Sequence, residues 1–159
     1  MKSLTVTLLM CLFSCAAFAQ TMEDRVTNYL EVFLEENKGA MTKAKLSNTR
    51  WATTDAMGGK SISFNSNGRF VLKTNGFQAL ENKRKGKWYI NNEYVVLEEK
   101  KEKTPLYVLK NENQMMLVGD EQVDILKQLL VEASYKDGAL KPYSYEEIFT
   151  FLNGMIVQN

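Results

Sequence analysis

Alternation of apolar and polar side chains is the main pattern along this chain, and it is clearest between residues 61 and 99. Ile62 and Phe64 share one face of a predicted strand, and Phe70 and Leu72 share one face of the next. The same pattern predicts strands at residues 49–54, 61–65, 69–74, 86–90, 94–99, 106–110 and 114–119. The sequence therefore predicts an antiparallel meander that closes toward a small barrel.

Asparagine-rich turn signals separate these strands. Asn67-Gly68 favours a type I′ hairpin turn, because asparagine and glycine both accept the positive φ that this turn requires. Asn75-Gly76 and Asn91-Asn92 interrupt the apolar pattern in the same way. Residues 78–85 are polar and are interpreted as a long loop, and the charged residues 98–103 are interpreted as a solvated hairpin tip.

Helical spacing precedes the predicted sheet. Residues 21–38 carry apolar side chains at i, i+3, i+4, i+7 and i+8, which predicts one helix with a single buried face. Thr21 and Asp24 form a capping-box-like start, and Gly39 is interpreted as the stop. The basic stretch at residues 40–48 is interpreted as a connector.

Helical spacing also follows the predicted sheet. Residues 121–133 are predicted to be a helix, although the β-branched Ile125 and Val131 leave a strand open as the alternative. Ser144 begins a second, shorter helix through an S-x-x-E capping box. Residues 155–157 are expected to form either an edge strand or a tail packed on the sheet.

The beginning of the chain has the features of an export signal. Lys2 supplies a positive charge, residues 4–13 are apolar, and Ala17-Phe18-Ala19 fits an A-x-A cleavage pattern. The apolar run is too short to span a bilayer stably. We therefore expect a signal peptide over residues 1–19 and an exported protein, periplasmic or secreted.

Two further expectations follow from this leader. Leu12 to Cys15 resembles a lipobox, so the alternative is a protein lipidated at Cys15 and anchored to the envelope. After the leader, residues 20–48 form the helix and connector, and residues 49–159 form the β domain with its partly helical tail. We expect these two parts to make one domain, because the chain is too short for two large cores.

The composition excludes several kinds of chemistry. The chain has no histidine, and Cys11 and Cys15 both lie within the predicted leader. Zinc or copper sites built on imidazole or thiolate, and nucleophilic triads that need histidine, are therefore excluded from the exported part. The acids Asp120, Glu121 and Asp124 are interpreted as residues that complement a helix N-terminus. We expect no cofactor, no metal and no enzymatic activity.

Charge balance bears on the partners. The formal net charge is +1, from 20 basic and 19 acidic residues, and removal of Lys2 with the leader makes the two signs equal. This balance argues against nucleic acid, and it allows a membrane only through lipidation at Cys15. Residues 83–87 form a basic run beside Trp88 and Tyr89 that could hold an anion, although a solvated strand edge is the favoured interpretation.

The aromatic residues are the candidates for a ligand site. In a small closed barrel, inward side chains either fill the interior or line an apolar cavity, and the sequence leaves both open. The candidate ligand-binding residues are Trp51, Phe64, Phe70, Trp88, Tyr94 and Tyr107.

The spacing of Phe64, Gly68 and Phe70, followed by that of Gly86, Trp88 and Ile90, resembles the small lipocalin-like domains of secreted Bacteroidetes-type proteins. The resemblance covers residues 49–119. It departs from the family pattern at Thr49-Arg50, where a glycine usually precedes the first tryptophan. The resemblance implies a β-barrel that holds a small apolar ligand or a protein partner, without catalysis.

Two functions therefore remain open at this point. The first is an exported, noncatalytic binding module that holds a small apolar ligand in its barrel. The alternative is an envelope structural or interaction protein with a filled barrel and a partner site on its surface, either on the helix at residues 21–38 or on the tail at residues 149–157. A hydrolase that relies on two carboxylates is the least favoured reading.

Overall fold

The computed structural model describes residues 21–53, 59–75, 82–112, 114–140 and 143–158. The predicted signal peptide and Cys15 lie outside the described residues. All the strands, the helices and the apolar clusters reported below lie between Thr21 and Val157. The closed barrel described below is therefore formed within this stretch.

Eight antiparallel strands form a closed barrel in which neighbours in sequence are neighbours in space. They are β1 Thr49–Ala52, β2 Lys60–Phe64, β3 Arg69–Thr74, β4 Asn82–Asn91, β5 Tyr94–Glu99, β6 Glu102–Asn111, β7 Gln114–Gly119 and β8 Met155–Val157. The predicted antiparallel meander of a mainly β, α+β protein is confirmed. Strand β8 is not an edge, because it pairs with β7 on one side and with β1 on the other.

Four helices accompany the barrel in the described part of the chain: α1 Met22–Glu36, α2 Lys43–Leu46, α3 Asp120–Asp137 and α4 Tyr145–Leu152. The capping box predicted at Thr21 is confirmed, since its hydroxyl accepts from the Asp24 amide and the Asp24 carboxylate accepts from the Thr21 amide. Helix α1 ends at Glu36 and not at Gly39, because the Gly39 amide already donates to the Val108 carbonyl of the sheet at 2.7 Å. None of these helices is long and apolar enough to cross a membrane.

Residues 121–133 are helical, so the strand alternative for this segment is wrong. They lie within α3, whose Leu126 and Leu130 are buried one turn apart. Helical spacing thus outweighs the β-branched Ile125, which lies half exposed where its shape is not constrained by packing. Gly138, at a φ of +68°, ends the helix in the left-handed conformation that glycine adopts most readily.

The capping box at Ser144 gives a stability prediction. Its hydroxyl accepts from the Glu147 amide, and the Glu147 carboxylate accepts from the Ser144 amide at 2.8 Å. Ser144→Ala is expected to lower the free energy of unfolding by about 1 kcal/mol, because one N-terminal amide of α4 loses its acceptor. Ser144→Asp is the matched control, since aspartate caps equally well. Urea unfolding measures both, and an unchanged free energy of unfolding in Ser144→Ala would show that the cap contributes nothing.

Two apolar clusters lie on opposite sides of the sheet. The inner cluster fills the barrel and includes Trp51, Ile62, Phe64, Phe70, Trp88, Val95, Leu97, Leu106, Val108, Leu117 and Met155. The outer cluster joins α1, α3 and α4 to Leu109, Met116 and Val118 on the outer surface of β6 and β7. The helices therefore cover one side of the barrel, and the outer surface of β3 and β4 is left to solvent.

Two segments that were predicted to be loops because their residues are polar belong partly to strands. Strand β4 begins at Asn82, so residues 82–85 are a strand and not a loop. Strand β6 begins at Glu102, so the turn before it is confined to Lys100 and Lys101. Both strand segments are polar because they lie at the open end of the barrel, where neither face is covered by apolar neighbours.

Candidate functional site

Aromatic side chains fill one half of the barrel interior. Trp51, Phe64 and Trp88 are all buried there, and the rings of Phe64 and Trp88 meet edge to face with centroids 5.6 Å apart. The Trp88 indole N–H donates to the Asn65 carbonyl at 3.1 Å, and the Trp51 indole N–H donates to the Thr49 hydroxyl at 2.8 Å. These polar groups are satisfied within the protein, as expected of a permanent core.

A short helix closes this end of the barrel. Leu46 of α2 is fully buried in the inner cluster, and Met41 packs against it. Thr42 caps the helix by accepting from the Lys45 amide, and the Leu46 carbonyl accepts from the Thr49 hydroxyl. We call this half of the interior the filled half. The basic connector predicted at residues 40–48 contains this helix, which the sequence analysis missed.

The other half of the interior is a cup of about 330 Å³ that opens at the end of the barrel opposite α2. Its apolar wall consists of Phe70, Leu72, Leu97, Leu106 and Met155. Its polar rim consists of Lys60, Thr74, Asn82, Arg84 and Thr104 from the strands, together with Asp120, Glu121 and Gln122 from the start of α3. The rim residues Lys60, Thr74 and Asn82 are register partners, which fixes them at one level of the barrel.

Alternation along the strands explains the polarity of the cup. Phe70, Leu72 and Thr74 follow one another on the inward face of β3, so the wall becomes polar where the strand reaches solvent. On β4 the corresponding inward series runs from Trp88 through Gly86 to Arg84. The cup therefore has an apolar base and a hydrogen-bonding mouth.

Two ion pairs lie at the rim. Arg84 Nε donates to Glu99 Oε2 at 2.6 Å, and Lys60 Nζ donates to Glu121 Oε2 at 2.6 Å. The hydrogen bond from Lys60 lowers the pKa of the Glu121 carboxyl below its ordinary value. Both pairs join groups of opposite sign across different elements, so the rim carries fixed charges of both signs next to the apolar wall.

This arrangement is suited to the binding of a small molecule. A wall of aliphatic and aromatic side chains with a few polar groups at one end is typical of sites for small molecules, and 330 Å³ lies at the lower end of their range. Among the described residues, no three acidic side chains come together as ligands for a metal ion. The cup offers a bound molecule apolar contact, hydrogen bonding and charge pairing.

The six predicted ligand-binding residues lie in three different places. Trp51, Phe64 and Trp88 belong to the filled half, and Phe70 lies in the wall of the cup. Tyr94 and Tyr107 are on the outer surface of the barrel, since their strand neighbours Val95 and Leu106 point inward. Of the six, only Phe70 lines the cup.

The two tyrosines form a pair on the outer surface. They are direct register partners on β5 and β6, and their rings meet edge to face with centroids 5.2 Å apart. Tyr107 packs in the outer cluster beneath the helices, where burial raises the pKa of its phenol and the nearby Asp120 carboxylate raises it further. Neither ring can reach a ligand inside the barrel, so the expectation that they face the interior is corrected.

Sequence reasoning missed Leu72, Leu97, Leu106 and Met155, which make up most of the wall. Aliphatic residues carry no signal that separates a cavity wall from an ordinary core. One signal was available: Leu72 lies two residues after Phe70, which places both side chains on one face of β3.

A second concavity lies outside the barrel. An open groove of about 290 Å³ runs between α3 and α4, and its apolar part consists of Ile125, Phe151 and Leu152. Ile125 and Phe151 are 50% and 43% exposed, which is high for large apolar side chains. Lys60 and Glu121 line both the groove and the cup. The ion pair between them therefore lies between the two concavities.

The two surfaces predicted for a protein partner are exposed only in part. On α1, Val32 is 55% exposed, whereas Val26, Leu30 and Phe33 are buried against the barrel. In the tail, Phe149 is buried and Phe151 is exposed. Val157 at the end of the tail is also exposed, and Phe151 contributes to the groove between α3 and α4.

Comparison with known proteins gives no relative from which a function could be transferred: no protein-family model, curated protein or solved structure matches this chain.

Proposed function

We propose that this protein is an exported, noncatalytic binding module of lipocalin-like type that holds a small amphiphilic molecule in the cup. The observation that supports this most directly is the division of the barrel interior into a filled half and an open half. A barrel that served only as a scaffold has no need of an apolar wall that opens to solvent.

The polarity of the cup defines the ligand class. The wall around Leu72, Leu97 and Leu106 suits a hydrocarbon or aromatic body, because burying apolar surface there is favourable by about 25 cal/mol per Å². The rim around Arg84 and Thr104 suits a polar end group that exchanges water for protein hydrogen bonds. The expected ligand is therefore small, elongated and polar at one end.

The wall is built on rigid elements. Each of its aliphatic residues lies on a strand that is paired on both sides in the closed barrel, so the cup exists before the ligand arrives. Preorganisation of this kind reduces the entropy lost on binding.

A substitution that fills the cup tests the proposal. Leu72→Trp adds a large side chain on the inward face of β3, and binding of the fluorescent apolar probe N-phenylnaphthylamine is expected to weaken at least about tenfold. Val71→Trp is the matched control: it adds the same side chain one residue away, on the outer face of β3. Probe titration of residues 20–159, with circular dichroism to check folding, measures both.

Each outcome of that titration has a meaning. Weaker binding in Leu72→Trp alone supports the cup. Equal binding in the two variants and the parent would place the probe elsewhere, with the groove at Ile125 and Phe151 as the first candidate, and the proposal would be wrong. Native mass spectrometry of the freshly purified protein then identifies any molecule that is retained.

The groove supports a second candidate function, that of an envelope interaction protein. Its exposed Ile125 and Phe151 form an apolar surface that a partner could cover. The double variant Ile125→Ser/Phe151→Ser should abolish crosslinking to that partner while leaving probe binding in the cup unchanged. Loss of both together would contradict the separation of the two sites.

A further inference from the structure

The charges of this protein are divided between its two sides. Helices α1, α3 and α4 carry twelve acidic and three basic side chains, a net charge of −9. The eight strands carry ten basic and three acidic side chains, a net charge of +7. The balanced total charge therefore conceals a strong polarity across the molecule.

The positive charge is concentrated on the outer surface of β3 and β4, together with Lys103 on β6. We define the basic face as six side chains: Arg69, Lys73, Lys83, Lys85, Lys87 and Lys103. Alternation places all of them outward, since Phe70 and Leu72 on β3, Trp88 on β4 and Leu106 on β6 point into the barrel. Among the described strand residues, Glu98 is the one carboxylate on this surface, and it lies between Lys87 and Lys103 in the register.

The register places like charges directly opposite each other. Arg69 faces Lys87, and Lys73 faces Lys83, in neighbouring strands of the barrel. Like charges in such positions destabilise a sheet. These two pairs, on either side of Val71 and Lys85, concentrate positive charge on the outer surface of β3 and β4.

The helices lie on the opposite side of the barrel. They pack on β6, β7 and β8, whereas the basic face is centred on β3 and β4, about half a turn away in the strand order. A planar negative surface would attract the basic face and repel the acidic helices, so it would bind the protein in one orientation.

We propose that the basic face docks on a bilayer surface that contains anionic lipids. Five of its six cations are lysines, whose compact ammonium groups suit diffuse attraction to a charged surface better than bidentate recognition of single phosphates. Single-stranded nucleic acid fits less well, because such sites need several aromatic platforms. Here the face offers Tyr89 alone among its described residues, and the Lys103 ammonium already lies 6.0 Å from the centre of that ring.

The cup lies next to the basic face. Docking on the bilayer does not require a ligand in the cup, but the position of the cup supports it. Lys73 precedes the rim residue Thr74, and Lys83 follows the rim residue Asn82. A protein docked through the basic face therefore has the mouth of its cup at the edge of the contact with the bilayer.

Vesicle binding tests the proposal. Residues 20–159 are incubated with phosphatidylcholine vesicles with and without about one third phosphatidylglycerol, at low and at high salt. Sedimentation with the anionic vesicles alone is expected, and it should be lost at high salt because screening shortens the range of the attraction. The triple variant K83E/K85E/K87E is expected to bind them about a hundredfold more weakly.

The matched control is K43E/K45E/K136E, which changes the net charge equally on exposed residues of α2 and α3. It should retain more than half of the parent affinity. Equal losses in both variants would show an effect of total charge, and equal binding to neutral vesicles would show that lipid charge is irrelevant. Tighter binding of a short single-stranded oligonucleotide than of the anionic vesicles at the same salt would identify the face as a nucleic-acid site. Any of these three results overturns the proposal.

Discussion

Replacing Gly86 with alanine is expected to lower the free energy of unfolding by about 3 kcal/mol, which is the upper end of the range for overpacking. A Cβ at this position would collide with the backbone carbonyl oxygen of Glu98 and would lie 2.7 Å from Phe70 Cε1. The Phe70 ring has room to turn toward the cup. The carbonyl of Glu98 has no such freedom, because it belongs to the ladder of β5, and the strands themselves must move apart.

Gly154→Ala is the comparison for this variant. Its Cβ would collide mainly with the side chain of Met116, a flexible thioether that can change rotamer, so a smaller loss is expected. Guanidinium unfolding gives both values, and a shift of the midpoint at constant m-value reports stability alone. A loss in Gly86→Ala no greater than that in Gly154→Ala would show that β4 and β5 tolerate a wider separation.

Truncation of Phe70 and of Trp51 should show whether ligand binding depends on the cup or on the filled half. Both side chains are buried, and each change to alanine is expected to lower the free energy of unfolding by about 3–5 kcal/mol. Phe70 lines the cup, so Phe70→Ala should also deepen it and change probe affinity at least about threefold. Trp51 does not line the cup, so Trp51→Ala should leave probe affinity within a factor of about two of the parent.

Stability and probe titration must therefore be measured together for these two variants. If either variant fails to fold, Phe70→Leu and Trp51→Phe keep the comparison intact with smaller cavities. Equal changes in probe affinity in the two positions, with equal losses of stability, would mean that the interior behaves as one core and that no distinct cup exists.

The fold could be predicted from the sequence where each strand has one buried and one solvated face. The bounds of β3, β5 and β7 agree with those predicted, because an asparagine-containing turn precedes each of these strands. Residues 82–85 were missed for the opposite reason: lysines face solvent outside, and Arg84 faces the mouth inside, so no apolar alternation exists to detect.

The residues that line the cup were harder to predict from the sequence. Tyr94, Val95, Val96 and Leu97 form a continuous apolar run, since the outer surface of β5 and β6 is also partly covered, and such a run does not reveal which side chains point inward. The size of an aromatic side chain is equally uninformative about whether it fills a barrel or lines a cavity. The division of the interior depends on α2 and on the position of Trp88, which only the three-dimensional arrangement shows.

Charge shows the same limit in another form. The total for the chain argues against anionic partners, and that argument holds only if the charges are mixed over the surface. Here the positive charges lie mainly on the strands and the negative charges on the helices, so the argument from the total charge does not apply. Arg69 and Lys73, each of which lies opposite a lysine of β4, illustrate this separation. A sequence reports how many charges there are, whereas the register decides which of them act together.

The pairing of β8 with β1 has a consequence for biogenesis. Trp51 lies opposite Val157, so the ring of strands stays open until the segment that carries β8 has been synthesised. Contacts this distant in sequence slow folding. Until then, β1 and β7 each present an unpaired edge, on which a second strand can pair.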